Sequence, residues 1–392
     1  MTERNWIIYF AEDWGRHLST SQLLASELAS HYNILWVNSL GLREPRLTPG
    51  DVKRAWAKIS QFAASALKNK RRKKASITTT PPNIHVASPL AIPFLRYRIV
   101  RRINRFLVRR YLRPRMTALG IHEPIIVTAA VESVDVLEDL GAKHKVYYCA
   151  DEYSQIAGMN AELVRILEQE LLGKVDLVVA SAANLAHEKA RFHANVHYLP
   201  HGVNYQKFSQ ALNHTMDMPE DLRAYRKPLI GFVGLIGEHI NVELIGRLAR
   251  ELPQASIILI GPLEEGMALP PEDSIIHLGP QPHDHLPRYL AHFEVCILPY
   301  AYTERNRFAN PTKLREYLAA GCPVVSTLQS EAEKLSEFVD FATDEEEFVE
   351  AVRHILKHGP KLPRETISIA MSEQTWHSRA AMLRTLLESS AT

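Results

Sequence analysis

Apolar residues along the chain come in short runs, each closed by polar or turn residues. In the first half the runs fall at 6–10, 34–37, 84–87, 125–128, 145–149, 177–179 and 196–199, with helical periodicities between them. Short, nearly continuous apolar strands alternating with helices predict a parallel, doubly wound α/β sheet covered on both faces. Residues 201–228 are polar and irregular, which predicts a linker. The alternation then restarts, with strands at 229–233, 256–260, 275–278, 295–298 and 323–326. Helices are predicted at 241–251, 284–292, 312–320 and 345–358, and one continuous tail helix at 364–387. The expected organisation is two Rossmann-like domains, 1–200 and 229–363, with a C-terminal helical segment at 364–392. Ligands of such folds bind at the carboxyl ends of the strands.

The densest chemical signal is the run Asn310-Pro311-Thr312-Lys313-Leu314-Arg315-Glu316, continuing to Gly321-Cys322-Pro323-Val324-Val325. Asn310 is suited to cap a helix, Pro311 to its first turn, and Gly321 to its end, with Pro323 forbidding continuation. A helix start carrying Lys313 is a natural seat for a diphosphate. Glu316 lies one turn on, on the same face, as a carboxylate able to accept from a ribose diol. The alternative is an amphipathic helix with an ordinary surface ion pair.

This run resembles the donor-binding signature of GT-B glycosyltransferases, especially of the family 4 type. The resemblance implies that Glu316 holds the ribose of a nucleotide-sugar, that the helix start, with Asn310 and Thr312, faces its phosphates, and that the tail helix 364–392 crosses back onto the first domain. The usual pattern places a second glutamate eight residues earlier, where this chain has Phe308, and Asn310 with Lys313 looks like an Asn-Pro-x-Lys variant.

Gly231-Phe232-Val233-Gly234-Leu235-Ile236-Gly237 follows a predicted strand and precedes a helix, the setting of a phosphate-binding turn. Its spacing is GxxGxxG, and the next strand ends in Leu259-Ile260-Gly261-Pro262 without the acidic residue a dinucleotide fold uses. Under the resemblance, Gly234 lets the backbone approach the donor diphosphate. Family 4 enzymes usually carry Arg and Lys just beyond this turn, where this chain has Gly237-Glu238-His239, so neutralisation falls to Lys313, Arg305 or Arg307. The loop 277–282, containing Gln281, corresponds to the one that meets the nucleobase, and Tyr300 to the turn facing the nucleotide. Surface-turn composition and simple packing are the competing readings of these two.

Two loops of the first domain compete to supply a catalytic base. Asp13 and His17 follow the first strand, and Asp151 follows the strand ending at Cys149. Retaining family 4 enzymes often place a His-Asp pair in the second loop, but here the pair is Ala150-Asp151. In that detail the chain is similar to the glucuronosyltransferases of xanthan assembly, which are inverting and use an aspartate there. Asp151 is the expected base, followed by Asp13 and then His17. The alternative is that Asp151 only caps the segment after it.

Composition narrows the picture further. The 392 residues are 46% hydrophobic, and Cys149, Cys296 and Cys322 lie beside apolar runs without CxxC spacing. They read as buried thiols, with neither disulfide nor metal site. No signal peptide or apolar span of membrane length is legible, which predicts a cytoplasmic protein, soluble or peripheral on the inner face of the cell membrane. The net charge of +2 conceals a strong segregation: residues 53–115 hold 18 Lys and Arg and no acidic residue. Trp56, Ile59 and Phe62 lie on one apolar helical face just before the run Lys70, Arg71, Arg72, Lys73, Lys74. Further on, Ile99, Val100, Ile103, Phe106, Leu107 and Tyr111 form a second apolar stripe, with Arg98, Arg101, Arg102, Arg105 and Arg109 opposite. This second helix is expected to dock by its apolar stripe and turn its arginines outward. Basic amphipathic helices suit an anionic membrane, whereas no nucleic-acid motif accompanies the charge.

The resulting expectation is a metal-independent GT-B glycosyltransferase without a cofactor. Its partners would be a nucleotide-sugar donor (a UDP-sugar), a lipid-linked or glycan acceptor of surface polysaccharide, and an anionic membrane surface. A nucleotide-sugar epimerase on the same fold and a catalytically silent GT-B scaffold are the alternatives.

Overall fold

The computed structural model describes residues 4–16, 18–42, 80–156, 158–213, 216–328, 330 and 332–389. His17, Trp56, Phe62, Lys70, Arg71, Arg72, Lys73 and Lys74 lie outside them. The chain divides into two compact units: Met1–Ser181 with Leu185–Leu199 and Ala380–Thr392, and Ala182–Asn184 with Pro200–Arg379.

The first unit is built on seven strands: β1 (Trp6–Phe10), β2 (Asn33–Val37), β3 (Ile84–Ala87), β4 (Ile125–Thr128), β5 (His144–Cys149), β6 (Leu177–Ala180) and β7 (Val196–Tyr198). All pairs are parallel, in the order β3-β2-β1-β4-β5-β6-β7. The residues of β4 and β6 are all buried, while both edge strands, β3 and β7, carry exposed positions. That is the pattern of a sheet covered on both faces.

The second unit repeats the scheme with β8 (Leu229–Val233), β9 (Ser256–Ile260), β10 (Ile275–Gly279), β11 (Val295–Leu298), β12 (Val324–Ser326) and β13 (Val339–Phe341). These are again parallel, in the order β10-β9-β8-β11-β12-β13. In each sheet the order reverses once, between β1 and β4 and between β8 and β11. Those two points are where a parallel sheet opens a crevice at its carboxyl edge.

Several expectations need correction. Strand β13 went unread because it is three residues long, with Asp340 at its centre and only Val339 buried. The stretch 201–228 is part of the second unit, since Val203, Phe208, Ala211 and Leu222 all enter its core. The predicted helix at 284–292 is a 3-10 turn, His283–His285, followed by the shorter helix Leu286–Leu290. The tail is two helices, Arg364–Ile369 and Trp376–Ser389. From Ala380 onward it belongs to the first unit, where Leu383 and Leu387 are fully buried.

The largest correction concerns the helix Arg98–Ala118. Its buried residues are Asn104, Val108, Leu112 and Met116; of the predicted stripe, Ile99, Ile103 and Phe106 are exposed and Val100, Leu107 and Tyr111 are half-buried. Asn104 grips the backbone at Ile92 in both directions, with two bonds of 2.8 Å. Arg101 turns inward and donates to Asp135 at 2.8 and 2.7 Å and to Glu170 at 3.0 Å. Arg105 forks onto Asp139 at 2.7 and 2.8 Å. Carboxylates placed by distant segments capture the arginines, and bidentate Arg–carboxylate geometry is among the stronger polar contacts. Arg101→Ala is therefore expected to cost about 1.5–3 kcal/mol in urea unfolding, against less than about 0.5 kcal/mol for the exposed Arg102→Ala.

Candidate functional site

In the second unit the helix Thr312–Ala319 starts at Pro311, which is its N-cap residue and offers no side-chain bond. Asn310 is not the cap. It is buried, and its Oδ1 accepts from Arg315 Nη1 at 2.5 Å. A guanidinium as deeply buried as Arg315 requires acceptors, and Asn310 serves that need. Gly321 ends the helix as expected, at φ +69°, and a Cβ there would lie 2.5 Å from the Arg364 carbonyl oxygen.

Glu316 is only 8% exposed, so it is not part of a solvated surface pair. Its Oε2 accepts from Lys313 Nζ at 2.6 Å and its Oε1 from His283 Nε2 at 3.1 Å. Lys207 Nζ stands 3.4 Å from His283 Nδ1 and also pairs with Asp284. The ammonium donates to Nδ1, which leaves Nε2 as the protonated nitrogen facing Glu316. Burial alone would raise the Glu316 pKa, but the Lys313 charge and the His283 hydrogen bond outweigh it and hold the carboxyl at about 2.

The next residue joins this helix to the sheet. Tyr317 Oη accepts from Val233 N at 2.6 Å and lies 3.2 Å from the Val233 oxygen, to which it donates. The helix is thus fastened to the end of β8, where the glycine turn begins. Gly234 N donates to Ile260 O at 2.9 Å, and a Cβ on Gly261 would fall 1.8 Å from Gly234 O. The glycine turn and the turn after β9 therefore touch backbone to backbone.

The loops after β8 and β11 are laced together across the switch point. Asn241 N donates to Pro299 O at 2.7 Å and Ala301 N to His239 O at 2.9 Å. Buried Asn306 donates to the carbonyls of His239 and Ala301 at 2.9 and 2.7 Å. The Tyr300 ring sits 5.8 Å from that of His239. Burial, then the charge of Arg305, push the His239 imidazole below its usual pKa. Arg305 is therefore close to this loop, whereas Arg307 lies on the surface paired with Glu304 at 2.9 Å. Gln281 and Thr312 are half-buried, one after β10 and the other at the helix start.

At the carboxyl edge of the first sheet, Asp13 and Asp151 lie on the loops after β1 and β5, both half-buried. Tyr153 brings these loops into electrostatic contact: its hydroxyl pKa is raised first by burial, then by Cys149, Glu12 and Asp151. Asp151 Oδ1 accepts from Glu152 N at 2.8 Å, and Glu152 caps the 3-10 turn Tyr153–Gln155. Glu152 is anchored in turn by buried Lys189, whose Nζ lies 2.8 Å from Glu152 and 2.7 Å from Glu168. Tyr147 Oη completes the network by donating to Glu168 at 2.7 Å. The segment carrying Asp151 is thus held from beneath by a satisfied buried ion triad.

His283, Lys207, Tyr317, Asn306 and Lys189 escaped the sequence reading. Each is a common residue with a partner at least 21 positions away, so local spacing does not mark it.

Residues 227–358 match the family described as "Glycosyl transferases group 1". A protein of Bacillus subtilis (strain 168) named "Putative teichuronic acid biosynthesis glycosyltransferase TuaH" is 25% identical over 202 residues, covering 46% of this chain and 50% of that protein. The chain thus spans about half the length of the curated relative it matches. Among solved structures, sucrose-phosphate synthase from Thermosynechococcus elongatus aligns at TM-score 0.68 and 15% identity over 98% of this chain and 99% of that one. Anabaena Alr3699/HepE in complex with UDP and glucose aligns at TM-score 0.65 and 12% identity, again over 98% and 99%. The fold is that of GT-B glycosyltransferase structures, and residues 227–358 of its second unit match the group 1 glycosyltransferase family.

The depressed Glu316 pKa has a measurable consequence. A carboxyl lowered on folding contributes stability that is present above its unfolded pKa of about 4.3. That contribution is lost as pH falls toward the folded value of about 2. Lys313→Met keeps the burial and removes the strongest favourable charge, so the Glu316 pKa should rise into or above the ordinary carboxylate range. A carbon-13 titration of the carboxyl group in the two proteins checks this.

Proposed function

We propose that the protein is a glycosyltransferase that moves a sugar from a UDP-sugar to a lipid-linked or glycan acceptor during polysaccharide assembly at an anionic membrane surface. The observation that carries this reading is the buried Glu316–Lys313–His283 cluster, fastened through Tyr317 to the glycine turn inside the group 1 domain. The HepE complex with UDP and glucose supports the uridine donor, and the name of the Bacillus relative supports a polysaccharide acceptor.

In this reading the ribose diol donates to Glu316, replacing part of what Lys313 and His283 supply in the free protein. Lys313 is thereby released toward the diphosphate, with Gly234, Arg305, Thr312 and the helix start around it. Gln281 and Tyr300 flank the nucleobase side. The acceptor hydroxyl attacks the anomeric carbon, the bond from that carbon to the phosphate oxygen breaks, and UDP departs. Its growing charge is met by Lys313, Arg305 and the helix dipole, fixed before reaction begins. The acceptor proton passes to Asp151, held in place by the Glu152–Lys189 anchor, and Asp13 is the next candidate.

Two substitutions separate binding from chemistry. Glu316→Ala should weaken UDP-sugar binding about tenfold to a hundredfold in calorimetry, the loss of a charge-assisted hydrogen bond, while the melting profile stays cooperative. Unchanged affinity would remove Glu316 from the donor site. Asp151→Asn preserves shape and donor affinity but loses the proton acceptor, so turnover should fall about 10²–10⁴-fold. Near-normal turnover in that variant would transfer the role to Asp13 or eliminate a protein base.

A further inference from the structure

The helix Arg98–Ala118 meets its own unit through Asn104, Val108 and Leu112, through the inward pairs of Arg101, and at its rim through the exposed Arg105 on Asp139. Its opposite side is apolar and open. Ile99 and Phe106 are 62% and 61% exposed, Ile103 is exposed as well, and Phe94 and Tyr97 stand exposed just before the helix. These five are among only 13 large hydrophobic residues exposed in the described structure, so the exposure is concentrated in one place. At 100° per residue, Ile99, Arg102, Phe106, Arg109 and Arg110 share the outward side. Arg96, Arg98, Arg102, Arg109 and Arg110 are all exposed there, and no acidic residue occurs between 53 and 115.

A concentrated apolar patch on a folded unit marks an interaction surface. Its chemistry here selects the partner. Aromatic and branched side chains flanked by exposed guanidinium groups match the boundary of an anionic bilayer: the apolar groups enter the acyl edge while the arginines remain at the phosphates. The inward ion pairs hold the helix folded beforehand, so it inserts without an ordering cost.

We propose that the outward face of this helix, together with Phe94 and Tyr97, is the surface by which the protein inserts into an anionic membrane. The proposal rests on the membrane reading given above, but it uses residues other than the basic run 70–74, so each can fail separately.

The test uses the full chain. Cys149, Cys296 and Cys322 are buried, so a single introduced thiol can be labelled with an environment-sensitive fluorophore. Ile103→Cys on the face and Arg191→Cys, an exposed control elsewhere in the first unit, would each be mixed with two kinds of vesicle. One is phosphatidylcholine alone and the other phosphatidylcholine with phosphatidylglycerol. The expected result is a blue shift at position 103 with the anionic vesicles only, and none at position 191. Replacing Ile99, Ile103 and Phe106 together by serine should weaken co-sedimentation at least about tenfold without lowering the melting temperature, since all three are exposed. Binding that persists in that triple variant, with no shift at position 103, would overturn the face while leaving attachment to another surface such as Lys70–Lys74. Absence of sedimentation by the unaltered protein with either vesicle would overturn the membrane reading and the face together. If the triple variant instead loses self-association in light scattering and keeps its vesicle binding, the face is a protein contact and the proposal is wrong.

Discussion

Every strand pair of both sheets is parallel, and a parallel sheet must be covered on its two faces because its connections cross over them. Polar groups on the faces must then be enclosed and paired, as Glu168 and Lys189 are, while open polar chemistry gathers in the loops at the strand ends. Strand order then selects among those loops. Reversal between β8 and β11 leaves the crevice in which Gly234, His239, Tyr300 and Arg305 gather. Reversal between β1 and β4 sets the loop carrying Asp13 at the corresponding point of the first sheet, with Asp151 two strands along the same edge.

Placing charged groups beside such edges carries a desolvation cost, and two clusters meet it in different ways. Glu316 is met by Lys313 and His283, both partly open to solvent. A ligand can therefore exchange for either partner without stranding a buried charge. Glu152, Glu168 and Lys189 are almost fully enclosed and satisfy one another. Removing one member of such a triad would leave an uncompensated buried charge, which makes it an anchor and keeps the segment after β5 in one conformation. The first cluster is suited to exchange, the second to support.

The helix Arg98–Ala118 shows the same electrostatics acting on packing. By hydropathy alone its apolar stripe belongs inside and its arginines outside. The inward side instead goes to Asn104, Val108 and Leu112, flanked by arginines that find Asp135, Glu170 and Asp139. Several bidentate contacts to carboxylates of the same unit compete with burial of a few isoleucine and phenylalanine side chains. The remaining apolar surface is left for a partner in which burial is recovered.

The sequence by itself determined the architecture: all twelve predicted strands are present, six with the expected bounds and six with one end moved by one residue, and these strands and the helix stop at Gly321 needed only local apolar runs, glycine freedom and proline exclusion. It also marked Glu316, Lys313 and Gly234, because residues on one helical turn or one tight turn meet through local spacing. What the tertiary structure alone decided were the contacts between distant segments. These are His283 on Glu316, Tyr317 on Val233, Lys189 on Glu152 next to Asp151, and the inward turn of Arg101. The short central-acid strand β13 and the break in the tail helix belong with them. Local periodicity reports which side of an element is apolar. Which side is buried depends on what the rest of the fold places opposite it, and for a charged helix that is settled by the carboxylates it meets.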